Sequence, residues 1–197
     1  MEGFGVINFE RINKLKDVWA VLSRLCDYPT ETTFILENRA TLAENSALSP
    51  KFRQEILALF DELAEPSELV RESHYSELFE LNRRYTLYMS YYKMTDSRER
   101  GTVLAKLKML YEMFGITEVT SELSDYLPVL LEFFAYADFM DDDRQGDLQL
   151  ALGVIEDGTY NLIQKAAADA DDPYIKLIGA IRQLIKSCLV KEATENA

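Results

Sequence analysis

Apolar residues recur along this chain at intervals of three and four for most of its length, which is the period of helices that bury one face. Leu15, Trp19, Leu22, Leu25 and Cys26 trace the first stripe from Ile12, and Tyr28-Pro29 predicts its end, because a residue before proline is pushed out of helical geometry. A weakly patterned stretch from Thr30 to Glu44 predicts a second helix, and polar Asn45–Ser49 a break. Pro50 opens a third, with Phe52, Ile56, Leu59, Phe60 and Leu63 on its inner face.

Beyond Pro66-Ser67 a further helix carries Tyr75, Leu78 and Phe79. Tyr85, Tyr88, Tyr91 and Tyr92 follow, and Tyr85, Tyr88 and Tyr92 stand at helical spacing. Asp96 with Glu99 matches a capping box, and Val103, Leu107, Leu110, Tyr111 and Phe114 lead to Gly115, a natural C-terminal stop. Asp125 is positioned to cap the next helix, with Pro128 in a first turn whose N–H groups have no helical acceptor to lose. From Leu127 to Phe139 only Glu132 and Asp138 interrupt the apolar residues, the pattern of a central helix. An acidic loop from Met140 to Asp147, a helix to about Ala168, and a last helix capped by Asp172 and opened by Pro173 complete the reading.

These elements predict an all-α fold: a single compact domain over residues 1–197, a bundle of about seven or eight helices, with residues 1–10 and 191–197 loosely ordered. Composition agrees, since 48% hydrophobic residues are too many for disorder, and 8 Gly and 5 Pro too few for a many-stranded β fold. No apolar run approaches the length of a membrane span and no secretory signal opens the chain, so no stable membrane insertion and a cytoplasmic location are expected.

The net charge of −13 repels a phosphate backbone, which argues against nucleic acid and favours a basic partner. Cys26 and Cys188 lie too far apart for a metal knuckle or redox pair. His74 is the single histidine and sits on a polar stretch, so neither a histidine metal cluster nor a general-base pair is expected. The glycines form no phosphate loop, and Asp141, Asp142 and Asp143 lack the ligand spacing of a calcium loop, so no catalytic residue, metal or cofactor is assigned.

Binding is the chemistry left. Glu122, Asp125 and Glu132 stand at or within the most apolar helix and need partners, which Arg83, Arg84 or Arg98 could supply internally, or a bound peptide from outside. The tyrosines suit either a core or a binding surface, because each joins an apolar ring to a polar tip. An acidic, aromatic groove would accept an amphipathic helix carrying Arg or Lys.

Four segments in register carry a resemblance: Tyr75-Ser76-Glu77-Leu78-Phe79 followed by Arg83; Ser97-Arg98-Glu99-Arg100-Gly101; Gly115; and Glu122-Leu123-Ser124-Asp125-Tyr126-Leu127-Pro128 with Leu131-Glu132. Together they resemble the nitrate reductase delta subunit, or NarJ-type, chaperones, most sharply from residue 75 to 135. The wider redox-enzyme chaperone family commonly has Pro and His where Ser124 and Tyr126 stand, so a role for that histidine does not carry over.

The resemblance implies a non-enzymatic, all-helical chaperone that keeps no cofactor. It would bind the N-terminal peptide of the nitrate reductase catalytic (alpha) subunit and hold the apo-subunit for molybdenum cofactor insertion before membrane docking. The related chaperones of dimethyl sulfoxide and trimethylamine N-oxide reductases are the alternative. A peptide site is expected between the tyrosine-rich segment and the start of the central helix, from Tyr75, Glu77, Phe79, Arg83, Tyr88, Glu122, Asp125, Tyr126 and Glu132, with Glu77, Asp125 and Glu132 meeting basic peptide residues.

Overall fold

The computed structural model describes residues 6–82, 84–94, 96–117, 121–140 and 142–190. Nine α-helices run through them: α1 (Phe9–Lys14), α2 (Lys16–Cys26), α3 (Leu36–Glu44), α4 (Pro50–Ala64), α5 (Glu68–Tyr75), α6 (Ser97–Met113), α7 (Leu127–Tyr136), α8 (Leu148–Lys165) and α9 (Pro173–Ser187). The all-α expectation holds, with one two-residue antiparallel pair, β1 (Val6–Ile7) with β2 (Leu189–Val190), joining the ends of the described chain. None of the described helices is long and apolar enough to cross a membrane.

The expected first helix is two. The chain turns at Leu15, whose fully buried side chain ends α1 and starts α2, and Trp19 ties the two by donating its indole N–H to the Ile12 carbonyl at 3.1 Å. The second helix begins at Leu36, later than the pattern suggests. Asn38 folds back and donates to the carbonyls of Thr32 and Thr33, while Thr33 Oγ1 accepts from Thr30 N–H, so Thr30–Thr33 forms a side-chain-bonded turn.

Other terminal signals act as read. Asp96 accepts from Arg98 N–H at 2.8 Å, Asp172 accepts from Tyr174 N–H at 2.8 Å ahead of Pro173, and Gly115 takes the left-handed φ of +78° that a helix stop requires. Asp125 does not cap α7. Tyr126 takes that position without a side-chain cap, and the Asp125 carboxylate turns inward.

The central helix is α7, which packs most extensively on α2. Leu127, Pro128, Leu130, Leu131, Phe133, Phe134 and Ala135 are buried, leaving Glu132 and Tyr136, one turn apart, exposed. Ser23 of α2 donates to the Pro128 carbonyl at 2.9 Å inside this contact, and Trp19 meets Phe134 at 6.3 Å between ring centroids. The remaining helices complete one continuous core, in which both cysteines are buried and unbridged.

Candidate functional site

The tyrosine-rich segment is not a helix. Past a π-helical turn at Ser76–Glu80, the described residues 84–88 form no helix, Tyr88 is extended, and the chain then closes a short 3-10 turn at Met89–Tyr92. Residues 87–89 lie antiparallel to the entry of α7: Leu127 N–H donates to Leu87 O at 2.8 Å and Met89 N–H to Asp125 O at 2.9 Å. These flanking bonds make Tyr88 and Tyr126 a closely spaced cross-strand pair, with ring centroids 5.3 Å apart.

Beside this pair opens a cleft of about 720 Å3. Tyr75, Phe79, Tyr85, Tyr88 and Tyr126 give it aromatic walls, Asp27, Glu80 and Glu122 give it carboxylates, and Tyr28, Tyr91 and Leu123 are solvent-exposed apolar groups on its lining. Arg100 is the one cation of the lining among the described residues.

Hydrogen bonds order the carboxylates. Tyr126 donates its hydroxyl to Asp27 Oδ1 at 3.0 Å, since an ionised carboxylate can only accept. The Tyr75 hydroxyl donates to the Cys26 carbonyl at 3.3 Å and lies 2.9 Å from the Tyr126 hydroxyl, a contact in which either oxygen can be the donor, so Tyr126 stands between Tyr75 and Asp27. Burial drives the phenols of Tyr75 and Tyr126 well above the ordinary tyrosine range; for Tyr126 the neighbouring Tyr75 and Asp27 add to it. Tyr88 donates to Glu122 Oε2, and burial, reinforced by Glu122, pushes its phenol up to about 12, with the Arg100 charge opposing. All three remain hydroxyl donors at neutral pH.

Of the nine residues expected at the site, Tyr75, Phe79, Tyr88, Glu122 and Tyr126 line this cleft. Arg83 lies outside the described residues. Glu77, on the outward side of the π-helical turn, accepts from Ser73 Oγ and lines a different groove with His74, Arg84 and Asp172. Glu132 is on the outer face of α7, where crowding by the fold and then the Asp27 charge raise its carboxyl above the glutamate range, with Arg24 opposing.

Asp125 requires a correction. Its carboxylate has no solvent exposure; it accepts from Ser90 N–H and Oγ and pairs with Arg100 Nη2 at 3.2 Å, so it is not placed to meet a peptide. Among the described residues its internal partner is Arg100 rather than Arg84 or Arg98. His74, on the polar stretch read from the sequence, is half-buried with Nε2 2.6 Å from Asp172 Oδ2. Among the described residues no group of three His, Cys, Asp or Glu is arranged to hold a metal ion.

Asp27 and Glu80 are absent from the sequence-derived set. Asp27 had a legible signal: it ends α2, where the helix dipole disfavours a carboxylate, so a negative charge there asks for a reason beyond helix stability.

Residues 45–176 match the family model described as nitrate reductase delta subunit. The chain is 30% identical over 186 residues to the probable nitrate reductase molybdenum cofactor assembly chaperone NarJ of Bacillus subtilis (strain 168), covering 91% of this chain and 94% of that protein. It is 31% identical over 119 residues to the nitrate reductase molybdenum cofactor assembly chaperone NarJ of Escherichia coli (strain K12), covering 58% and 50%. To the probable nitrate reductase molybdenum cofactor assembly chaperone NarW of the same strain the identity is 27% over 125 residues, covering 64% and 51%. With a family match across most of its length and a near full-length relative at this identity, the chain belongs to the nitrate reductase delta subunit family.

Proposed function

We propose that this protein is a cytoplasmic assembly chaperone for respiratory nitrate reductase that binds the N-terminal peptide of the apo catalytic subunit and holds it for molybdenum cofactor insertion before the enzyme docks at the membrane. Family membership supports the client class, and its relatives are named as assembly chaperones rather than as catalysts. The reading assigns no reaction and no resident cofactor to the chain.

The observation that carries the peptide part is the cleft beside the Tyr88–Tyr126 bridge, where aromatic walls and the carboxylates of Asp27, Glu80 and Glu122 occur together. Such a surface accommodates a segment that presents apolar side chains and at least one Arg or Lys. The net charge of −13 adds a long-range attraction for the same partner.

The test is calorimetric titration of the full chain with a synthetic peptide of the N-terminal segment of the catalytic subunit from the same organism, at low and moderate salt. Saturable binding that weakens with salt is expected. Absence of binding at both salts would overturn the peptide reading, and tighter binding of a leader from another molybdoenzyme would reassign the client.

A further inference from the structure

Two carboxylates that line the cleft are each held by a phenol, and the two phenols are neighbours on one bridge. Tyr126 donates to Asp27 at 3.0 Å, Tyr88 donates to Glu122, and the rings of Tyr88 and Tyr126 contact one another. The arrangement is built from distant parts of the chain: the end of α2, the segment before the 3-10 turn, and the loop entering α7. Asp27 Oδ1 also accepts from Tyr28 N–H, so both bonds fall on one oxygen.

We infer that Tyr126 and Tyr88 are positioning residues that aim Asp27 and Glu122 at cationic side chains of the partner peptide, and so set the preference of the cleft for basic over neutral segments. This deepens the peptide-binding reading and rests on it. Three features carry it. A carboxylate at the C-terminal end of α2 opposes the helix dipole and is held there by a hydrogen bond supplied from another element. The Tyr75 hydroxyl lies 2.9 Å behind the Tyr126 hydroxyl, so that phenol is held between Tyr75 on one side and Asp27 on the other. Arg100, the one cation of the lining among the described residues, is bound to Asp125 and Ser90, which draws its charge away from Asp27. An oriented carboxylate loses less freedom on pairing than one that must first be ordered, so the phenols act on affinity through pre-organisation rather than through contact.

The test uses the full chain and two probes: the synthetic N-terminal peptide of the catalytic subunit, and the same peptide with every Lys and Arg replaced by norleucine. Tyr126→Phe keeps the ring and removes the donor. It should weaken the basic peptide about five- to tenfold more than it weakens the norleucine peptide. Asp27→Asn should weaken the basic peptide similarly, and adding Tyr126→Phe to it should cost little more, because both changes break one pathway. Tyr88→Phe tests the Glu122 arm in the same way, and serves if Tyr126→Phe fails to fold.

Wild-type protein that binds neither peptide would sink the peptide-binding reading and this inference with it. Wild-type protein that binds the basic peptide, with phenylalanine variants that lose both peptides equally or neither, would overturn the inference alone, since loss of both marks the phenols as structural.

Discussion

The guanidinium of Arg100, on α6, stands 3.2 Å from the carboxylate of Asp125, at a position with no solvent exposure. Ser90 closes the triangle, donating N–H and hydroxyl to Asp125 and accepting from Arg100 Nε at 3.2 Å. The node pins the 3-10 turn and the entry of α7 to α6, so it holds the frame in which Tyr88 faces Tyr126. Removing one partner leaves a buried charge uncompensated. Arg100→Met should cost about 3–5 kcal/mol, whereas Arg100→Met combined with Asp125→Leu should recover most of that loss. Urea denaturation of the three proteins checks it; a single variant as stable as wild type would contradict the paired burial.

Gly158, in α8, faces the backbone of Met89 in the same 3-10 turn. A Cβ at Gly158 would lie 2.6 Å from Met89 Cβ and 2.7 Å from its Cα and carbonyl oxygen, so a methyl group must displace backbone. Gly158→Ala should therefore destabilise by about 1–3 kcal/mol, against the usual helical preference for alanine. Gly101, helical in α6, has nothing within 4 Å of its would-be Cβ, and Gly101→Ala should stabilise by about 0.5–1 kcal/mol. Thermal melts of both give opposite signs if the close approach is real.

The helices with clean stripes and marked ends, α4, α6, α7 and α9, were legible because Pro50, Asp96, Gly115, Pro128 and Asp172-Pro173 act through local backbone chemistry alone. The segment 85–92 was not. Its tyrosines keep helical spacing although only Met89–Tyr92 forms a short 3-10 turn, and what fixes the extended conformation at Tyr88 is pairing with residues 125–127, a long-range contact no local pattern encodes. The same limit explains Asp125, whose sequence position before Leu127 suits a cap while the buried Ser90 and Arg100 draw its carboxylate away. Five of the nine expected site residues do line the cleft because they belong to the two motifs that this pairing brings together.

Tyr174, at the start of α9, sits among the rings of His74, Tyr75 and Phe79 at centroid distances of 5.4, 5.5 and 5.7 Å. Its hydroxyl is buried without a hydrogen-bond partner among the described residues. Tyr174→Phe preserves the ring contacts and removes an unpaired polar atom, so stability should rise by about 1 kcal/mol. That corresponds to a melting temperature higher by about 2–4 °C for a chain of this size. A fall of similar size would mean that the hydroxyl is bonded after all.

Glu132 supplies a pH-dependent prediction. Crowding by the fold, then the Asp27 charge, hold its carboxyl above the ordinary glutamate range, with Arg24 opposing. A folded-state value raised above the unfolded one means that protonation favours the fold. The contribution is fully present below the unfolded value and is lost as pH rises through the raised one. At neutral pH the ionised side chain is thus a liability, and Glu132→Gln should melt higher than wild type by about a degree, solvent screening keeping the gain small. Acidification below about pH 4 should abolish the difference, because both proteins then carry a neutral group at this position. Melting temperatures of the two proteins across that range check the sign: a Glu132→Gln variant that melts lower than wild type at neutral pH, with the difference closing on acidification, would place Glu132 in a stabilising ion pair instead, and would point to Arg24 as the dominant neighbour.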